Sequence, residues 1–502
     1  MNNETDDTRI IRGGKVCDGS GTEPELKDLL IRGGRIAGIE APGTFDALPG
    51  PRTDAAGKLV APGFIDAHAH GDLRQLKYPE NRTKLLQGIT TEVDGNCGSS
   101  ASCVPGESGP LQWRNLAEYA DIINSLPVST NTVALCGHNS LRRTVMGNRS
   151  DKVSGEELRR MRQLLEDACS AGAAGFTSGL TYFPGKFSDT AELTGLAEVL
   201  RGSEKIYATH MRSEGDTLLE AVQEAIEIAQ AGSGRIEISH LKTAFKQNFH
   251  KIDALLDTLN RVRNDLDLHA DRYPYLYSST RIGQILPPPY DQIPDLGARL
   301  RESPEFRTEI LASLKNSPRD LTTTILMRNG KTLAQLAEEQ RCTVEEAAMQ
   351  ALLENTEQPA AYLCMSRENM MRILAQPWVC PGTDGISMQL DDPASSGHPR
   401  AVGTFPTFFR LVSGMTSVGE AIRRMTSLPA SIFRIPERGL IREGYIADLV
   451  ILDPDRYDSA AGFDGSNLMP SGVHEVIVSG KTAWSAAAPD KVGRFGRFLA
   501  ID

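Results

Sequence analysis

Between residues 64 and 384, short apolar runs rich in β-formers alternate with helical patterns, and this alternation limits the possible folds more than any other feature. The runs fall at 64–70, 89–97 ("ITTEVDGNC"), 132–138 ("TVALCGH"), 173–178 ("AAGFTS"), 206–211 ("IYATHM"), 236–240 ("IEISH"), 268–273 ("LHADRY") and 378–384 ("WVCPGTD"). Between them, "SGEELRRMRQLLEDACSAG" opens on a Ser154 cap with early acids and closes on Gly172, and "DTLLEAVQEAIEIAQAG" repeats the pattern. Such alternation signals a parallel βα array. Eight strands make an α/β fold, a (β/α)8 TIM-like barrel, the natural expectation. The gap between the seventh and eighth runs is too long for one crossover, so residues 284–350, opening "LPPPYDQIPD", read as an inserted subdomain over the barrel mouth. Both ends of the chain carry strand runs with nothing local to pack on: "LLIRGGRIAGIE" near the start, "GYIADLVILDPD" and "VHEVIVSGKTAW" near the finish. The expected layout is therefore a small β-sandwich assembled from 1–61 and 426–502, around a barrel at 62–425.

A chain of 502 residues can bury a core of that size. Its 54 basic and 65 acidic residues give a net charge of −11 with no basic block, which argues against nucleic acid or an anionic membrane as partner. No apolar run approaches the roughly 18 residues of a membrane span. The acidic start "MNNETDDTRI" is unlike a signal peptide, and eight scattered cysteines without a C-x-x-C suit free thiols in a reducing compartment. The expectation is a cytoplasmic protein with a small-molecule substrate, and a homo-oligomer is left open.

"PGFIDAHAHGD" ends an apolar run in two histidines one residue apart. Strand alternation would place Phe64, Asp66, His68 and His70 on one side, so the two imidazoles would project together as a chelating pair. Cys97, His210, His240 and Asp384 also stand at run ends, where barrel active sites are built. A thiolate and two imidazoles suit Zn²⁺, and His68 and His70 could hold a second metal or complete the first site. Taken singly, each has a plain structural reading: Cys97 a small buried hydrophobe, His240 a core histidine, Asp384 a turn acid. A single metal geometry explains them all together.

The motifs "DGNCGSSASCVP", "GAAGFTSGLTYFPG", "YATHMRSEGDTLLEAVQEAIEIA", "ISHLKTA", "DRYPYLYSST", "GTDG", "GHPRAVGTFP" and "LPASIFRIPERGLIREGYIADLVILDPD" occur in an order that resembles the N-acyl-D-amino-acid deacylases (D-aminoacylases) of the amidohydrolase superfamily. The similarity runs from about residue 8 to about residue 480, broken mainly by the insert. It implies a tight zinc site at Cys97, His210 and His240, and a weaker second metal position at His68 and His70 with Cys97 able to bridge. It implies Asp384 as general acid/base, Lys242, Tyr273 and Arg400 on the substrate α-carboxylate, and Tyr182 and His138 close to the reacting amide. Selectivity for D over L comes from the resemblance alone. The chain departs from the pattern in the long acidic stretch "GISMQLDDPASSGHP" and in an extra Cys103, read as packing. No arginine stands where the resemblance places the side-chain anchor of acyl-D-glutamate specialists, around "QILPPP", so Ile285 and Leu286 point to a neutral or hydrophobic side chain, with Arg281 as the alternative for an acidic one. Two other functions remain in view: hydrolysis of a cyclic amide or imide or a D-configured dipeptide-like compound, and a metal-binding barrel without catalysis.

Overall fold

The computed structural model describes residues 8–293, 295–388, 397–463 and 468–502. All eight expected runs contain a strand. These are Phe64–Asp66, Ile89–Asp94, Asn131–Ala134 continued by Cys136–Gly137, Gly175–Gly179, Ile206–His210, Arg235–Ile238, Asp267–Asp271 and Val379–Cys380. Each pairs in parallel with the next. A parallel bridge from Ala69 to Gly385 joins the last strand to the first. The arrangement is of TIM-barrel type with an extra domain.

Strand alternation sorts the side chains into two layers. Ile65, Val93, Val133, Leu135, Ile206, Ala208 and Cys380 meet in one cluster drawn from strands around the ring. Ala134, Cys136, Phe176, Tyr207, Ile236, Leu268 and Val379 pack instead with helical residues such as Met161, Leu165, Ala225 and Leu255. The helix Gly155–Ser170 starts where the sequence places it, on a full capping box between Ser154 and Glu157.

Strands from both ends of the chain join one sheet of eight strands. Its central pairing sets Leu59–Pro62 antiparallel to Leu449–Leu452, and Ile11, Leu29, Ile31, Val60, Leu449, Ile451 and Ile477 form one core. The chain passes from this sheet into the first barrel strand at Gly63, where a Cβ would lie 2.2 Å from Thr90 Oγ1, so only glycine fits. The C-terminal part is not all sheet. Leu428, Ile432, Leu499 and Ile501 pack on Ile65, Val93 and Ile206, and Lys205 Nζ donates to the Ile501 carbonyl. Apolar spacing alone could not distinguish that packing from a sheet contribution.

The insert is wider than 284–350. It includes an antiparallel sheet of Tyr277–Arg281, Pro359–Leu363, Ile325–Leu326 and Lys331–Thr332, over its own core of Ile282, Ile285, Leu300, Phe306, Ile310, Leu333 and Leu352. The polar strand "YSSTR" carries no apolar alternation, so its edge was not legible.

A buried charge cluster locks the first and last barrel strands together. Lys84 Nζ lies 2.5 Å from Asp66, 2.9 Å from Thr383 Oγ1 and 3.2 Å from Glu92, all fully buried. Asp66 also accepts from the backbone N–H of His68 and of Thr383. Burial alone would strip the Lys84 proton, but Asp66 and Glu92 hold the ammonium above the ordinary lysine value. Lys84→Met leaves two uncompensated buried carboxylates and is expected to cost about 3–5 kcal/mol of stability. Urea unfolding checks this, and a loss below about 1 kcal/mol would mean the cluster is not what holds these strands.

Candidate active site

The C-terminal ends of the strands deliver the expected ligand set to one place. Cys97 Sγ lies 3.3 Å from His68 Nε2, 3.5 Å from His240 Nε2 and 3.7 Å from His210 Nδ1. Asp384 Oδ1 sits 3.1 Å from His70 Nε2 and 3.7 Å from His68 Nε2. Two groups of donor atoms are close enough for a shared cation, Cys97–His210–His240 and His68–His70–Cys97–Asp384, with Cys97 in both.

Backbone shape helps to aim these side chains. Cys97, His240 and Asp384 all have positive φ, at 53°, 39° and 46°. Such backbone is strained for a side-chain-bearing residue and persists where the surroundings impose it. At His240 the consequence can be traced. Ile236 and Ile238 face the helical layer, so alternation would send residue 240 there too, and the left-handed turn brings it to Cys97. The expected common side for Phe64, Asp66, His68 and His70 needs correcting. Phe64 packs beside Phe405 and Tyr457, and Asp66 meets Lys84. The strand ends at Asp66, with a register shift after Phe64, so its alternation does not extend to His68.

The donor set fits a divalent cation in its outer contacts as well. His68 Nδ1 lies 2.8 Å from Asp271, and His240 Nδ1 lies 2.9 Å from Glu214. A carboxylate behind a ligating imidazole fixes the ring's tautomer and raises its basicity, the usual support for a metal-binding histidine. Burial alone would raise the Cys97 thiol, but the charge of His68 and hydrogen bonds from His210 and His240 hold it well below its ordinary value, which favours the thiolate. A thiolate with imidazoles is a borderline-soft set suited to Zn²⁺.

Asp384 is similarly governed. Burial favours its neutral form, yet Arg400, the His70 hydrogen bond and His68 keep it well below the usual carboxylate range. Arg400 Nη1 lies 2.8 Å from Asp384 Oδ2, and its guanidinium stacks 4.6 Å above the Tyr273 ring. Lys242 pairs with Glu214 and stands 2.9 Å from His240 Nδ1.

Two cavities open on the two sides of this centre. One, of about 300 Å³, is lined by His210, His240, Lys242, Tyr273, Glu214 and Arg319. The other, of about 400 Å³, is lined by His70, Cys97 and a largely apolar wall. Tyr182, Ser279, Asp384 and Arg400 border both.

His138 is not brought to either cavity. It is fully buried, 2.8 Å from Glu192 in a pocket shared with Arg142. The strand ends at Gly137 and His138 opens the helix His138–Met146, so strand alternation no longer aims its ring, which meets Glu192 instead. Ile285 and Leu286 belong to the core of the insert and line neither cavity. Arg281 is paired with Glu357. Cys103 is buried packing, as expected. Of the long acidic stretch, residues 389–396 lie outside the described residues.

Asp271, Glu214 and Arg319 were missed. The acids stand in the quoted motifs "DRYPY" and "RSEGD" but look like ordinary solvated carboxylates. Arg319 comes from the insert. It lies between the Phe245 and Tyr362 rings at 5.0 and 4.5 Å, with no carboxylate within 4.0 Å among the described residues.

The profile of the Amidohydrolase family matches residues 53–272 and 323–483. N-acyl-D-glutamate deacylase of Alcaligenes xylosoxydans xylosoxydans is 33% identical over 513 residues, covering 98% of this chain and 96% of the relative. Among solved structures, N-acyl-D-glutamate deacylase from Bordetella bronchiseptica, complexed with zinc and a phosphonate inhibitor that mimics the tetrahedral intermediate, superposes with a TM-score of 0.83. It is 31% identical and covers 99% of this chain and 100% of that one. A D-aminoacylase studied for its binuclear metal centre gives a TM-score of 0.82 at 29% identity, over 98% and 99% of the two chains. No described helix is long and apolar enough to cross a membrane. The chain belongs to the N-acyl-D-amino-acid deacylase (D-aminoacylase) family of the amidohydrolase superfamily.

Proposed function

We propose that this chain is a zinc-dependent hydrolase that cleaves the amide of N-acyl-D-amino acids, releasing a carboxylate and a free D-amino acid. The observation that carries the reading is a buried cysteine sulfur among three imidazoles, beside a carboxylate and a cavity holding Lys242, Tyr273 and Arg400. Cys97, His210 and His240 would hold the tight zinc, and His68 and His70 would hold a weaker second position, with Cys97 common to both groups. Bound zinc supplies a Lewis acid for the amide carbonyl and a water of lowered pKa. Asp384 takes the proton from the attacking water and returns it to the leaving nitrogen, since an amine anion cannot depart unprotonated. The water oxygen first bonds to the carbonyl carbon, giving a tetrahedral oxyanion; its collapse re-forms the C=O and breaks the C–N bond as nitrogen takes the proton from Asp384, which ends as it began. Tyr182, at the border of both cavities, is placed to donate to the developing oxyanion. His138 has no such part: its place beside Glu192 makes it a support of the outer layer.

Lys242, Tyr273 and Arg400 hold the substrate α-carboxylate. Arg400 already engages Asp384, so it shares its fork between the two carboxylates. Lys242→Ala and Arg400→Ala are each expected to lower kcat/KM on acetyl-D-amino acids about 10²-fold, and unchanged values would remove carboxylate recognition by these residues. A cyclic imide has no free α-carboxylate and would not respond in this way. Arg319, without an ion-pair partner among the described residues, is a cation available to an acidic D-side chain. Arg319→Ala is expected to lower kcat/KM on acetyl-D-glutamate about tenfold relative to acetyl-D-leucine. Equal losses on both would leave Arg319 a purely structural stack between its two rings.

The fold reading that goes with this function is a closed (β/α)8 barrel at 62–425, with the insert over its mouth and a domain from 1–61 and 426–502. The Ala69–Gly385 bridge and the strand exchange between termini support it. The eight free, scattered cysteines support a cytoplasmic location.

A further inference from the structure

We infer that the second cavity is an acyl-chain subsite, and that this enzyme prefers an aliphatic acyl group of several carbons over formyl or acetyl. The inference rests on the deacylase reading and adds the class of acyl group.

The argument is one of partition. Lys242 and Tyr273, the α-carboxylate holders, line only the polar cavity, together with His210 and His240. His70 and Cys97 line only the other cavity. Asp384 and Arg400 stand at the border, so the scissile amide lies between the two. With the amino-acid carboxylate in the polar cavity, the opposite side of the amide leads into the second one. That side carries the acyl group.

The wall found there is chosen for hydrocarbon. Met327, Pro359, Ile386, Met388 and Ala401 line it, and both methionines are buried, Met327 on Ile325 and Ala361, Met388 on Ala401 and Val402. Among the described residues this lining holds no lysine, Asp384 is its one acid, and its one guanidinium, Arg400, is engaged by Asp384; the remaining polar groups are His70, Ser99, Tyr182, Ser279 and His398. Formyl or acetyl would leave most of about 400 Å³ unfilled. A longer chain removes apolar wall from water, and unbranched thioether side chains adapt to its shape. The wall is also composite: Met327 belongs to the insert and Met388 to the segment after Asp384, so the insert would set acyl preference without touching the metal ligands.

The test is a series with one D-amino acid and acyl groups from formyl through acetyl, butanoyl and hexanoyl, measured on the zinc-loaded full chain. A parallel series fixes acetyl and lengthens the D-side chain. The expected result is a kcat/KM about tenfold or more higher for hexanoyl than for acetyl, with the hexanoyl-to-acetyl ratio falling toward one in Met388→Trp and in Met327→Asn. Best turnover on formyl or acetyl overturns the inference while leaving the deacylase reading intact. So does a rise confined to the side-chain series, which would assign the cavity to the D-side chain. Hydrolysis of no member of either series takes down the deacylase reading itself, and this inference with it. Wild-type ratios decide the matter even where a variant fails to fold.

Discussion

Asparagine at position 384 is expected to lower kcat by about 10²–10⁴-fold while zinc measured on the same sample stays at the wild-type content. The two halves of that expectation come from different atoms. Asp384 Oδ1 accepts from His70, and Oδ2 accepts from Arg400. An asparagine carbonyl can keep the first contact, but its amide cannot take a proton from water or pass one to the leaving nitrogen. The proposed tight ligand set, Cys97, His210 and His240, does not include Asp384 and should hold its ion. A kcat within tenfold of wild type would mean another group moves the proton. Loss of the tight zinc together with activity would instead make Asp384 a ligand, and its role as proton carrier would fall. Retained zinc with lost turnover also excludes a barrel that only binds metal, because such a protein has no turnover to lose.

What the sequence discloses here follows from how locally each feature is determined. Strand ends are local, and a barrel places active residues at strand ends, so Cys97, His210, His240 and Asp384 could be read from position alone. Their partners are not local. Asp271 and Glu214 become supports for His68 and His240 only because strands distant in sequence meet at the mouth. Among 65 acids, nothing in spacing marks those two. Lys84 is another such case, a lysine in an ordinary helical stretch that turns out fully buried against Asp66 and Glu92. His138 shows the opposite failing: the resemblance favoured it, but it opens the helix after the strand and its ring meets Glu192. The side-chain cavity was misread for a third reason. Ile285 and Leu286 fill the insert's own core, and Arg319, about thirty residues on, is what reaches the cavity. Only the folded insert could reveal that exchange.

Cys97→Ala should remove both the tight zinc and all measurable turnover, whereas His68→Asn should keep one zinc per chain and most of the activity. The contrast follows from the place of sulfur in the cluster. Cys97 Sγ is the one donor common to both candidate ion positions, and without it the tight position keeps only the imidazoles of His210 and His240. Catalytic zinc sites ordinarily need three protein ligands. Two neutral imidazoles also lack the thiolate's charge, which offsets much of a divalent cation's own. His68 stands in the other group, where its loss leaves His70, Cys97 and Asp384 in place. Cysteine already bears a Cβ at this positive φ, so alanine adds no backbone strain, and the unfolding temperature of Cys97→Ala is compared with that of Cys97→Ser, which keeps the side chain's size but replaces the sulfur with a hydroxyl. Zinc lost in both variants at wild-type folding cooperativity assigns the effect to the thiolate rather than to the fold. Stoichiometric, tightly held zinc in Cys97→Ala would place the metal elsewhere. Asp384 would then have no activated water within reach, and the proposed chemistry would have no site.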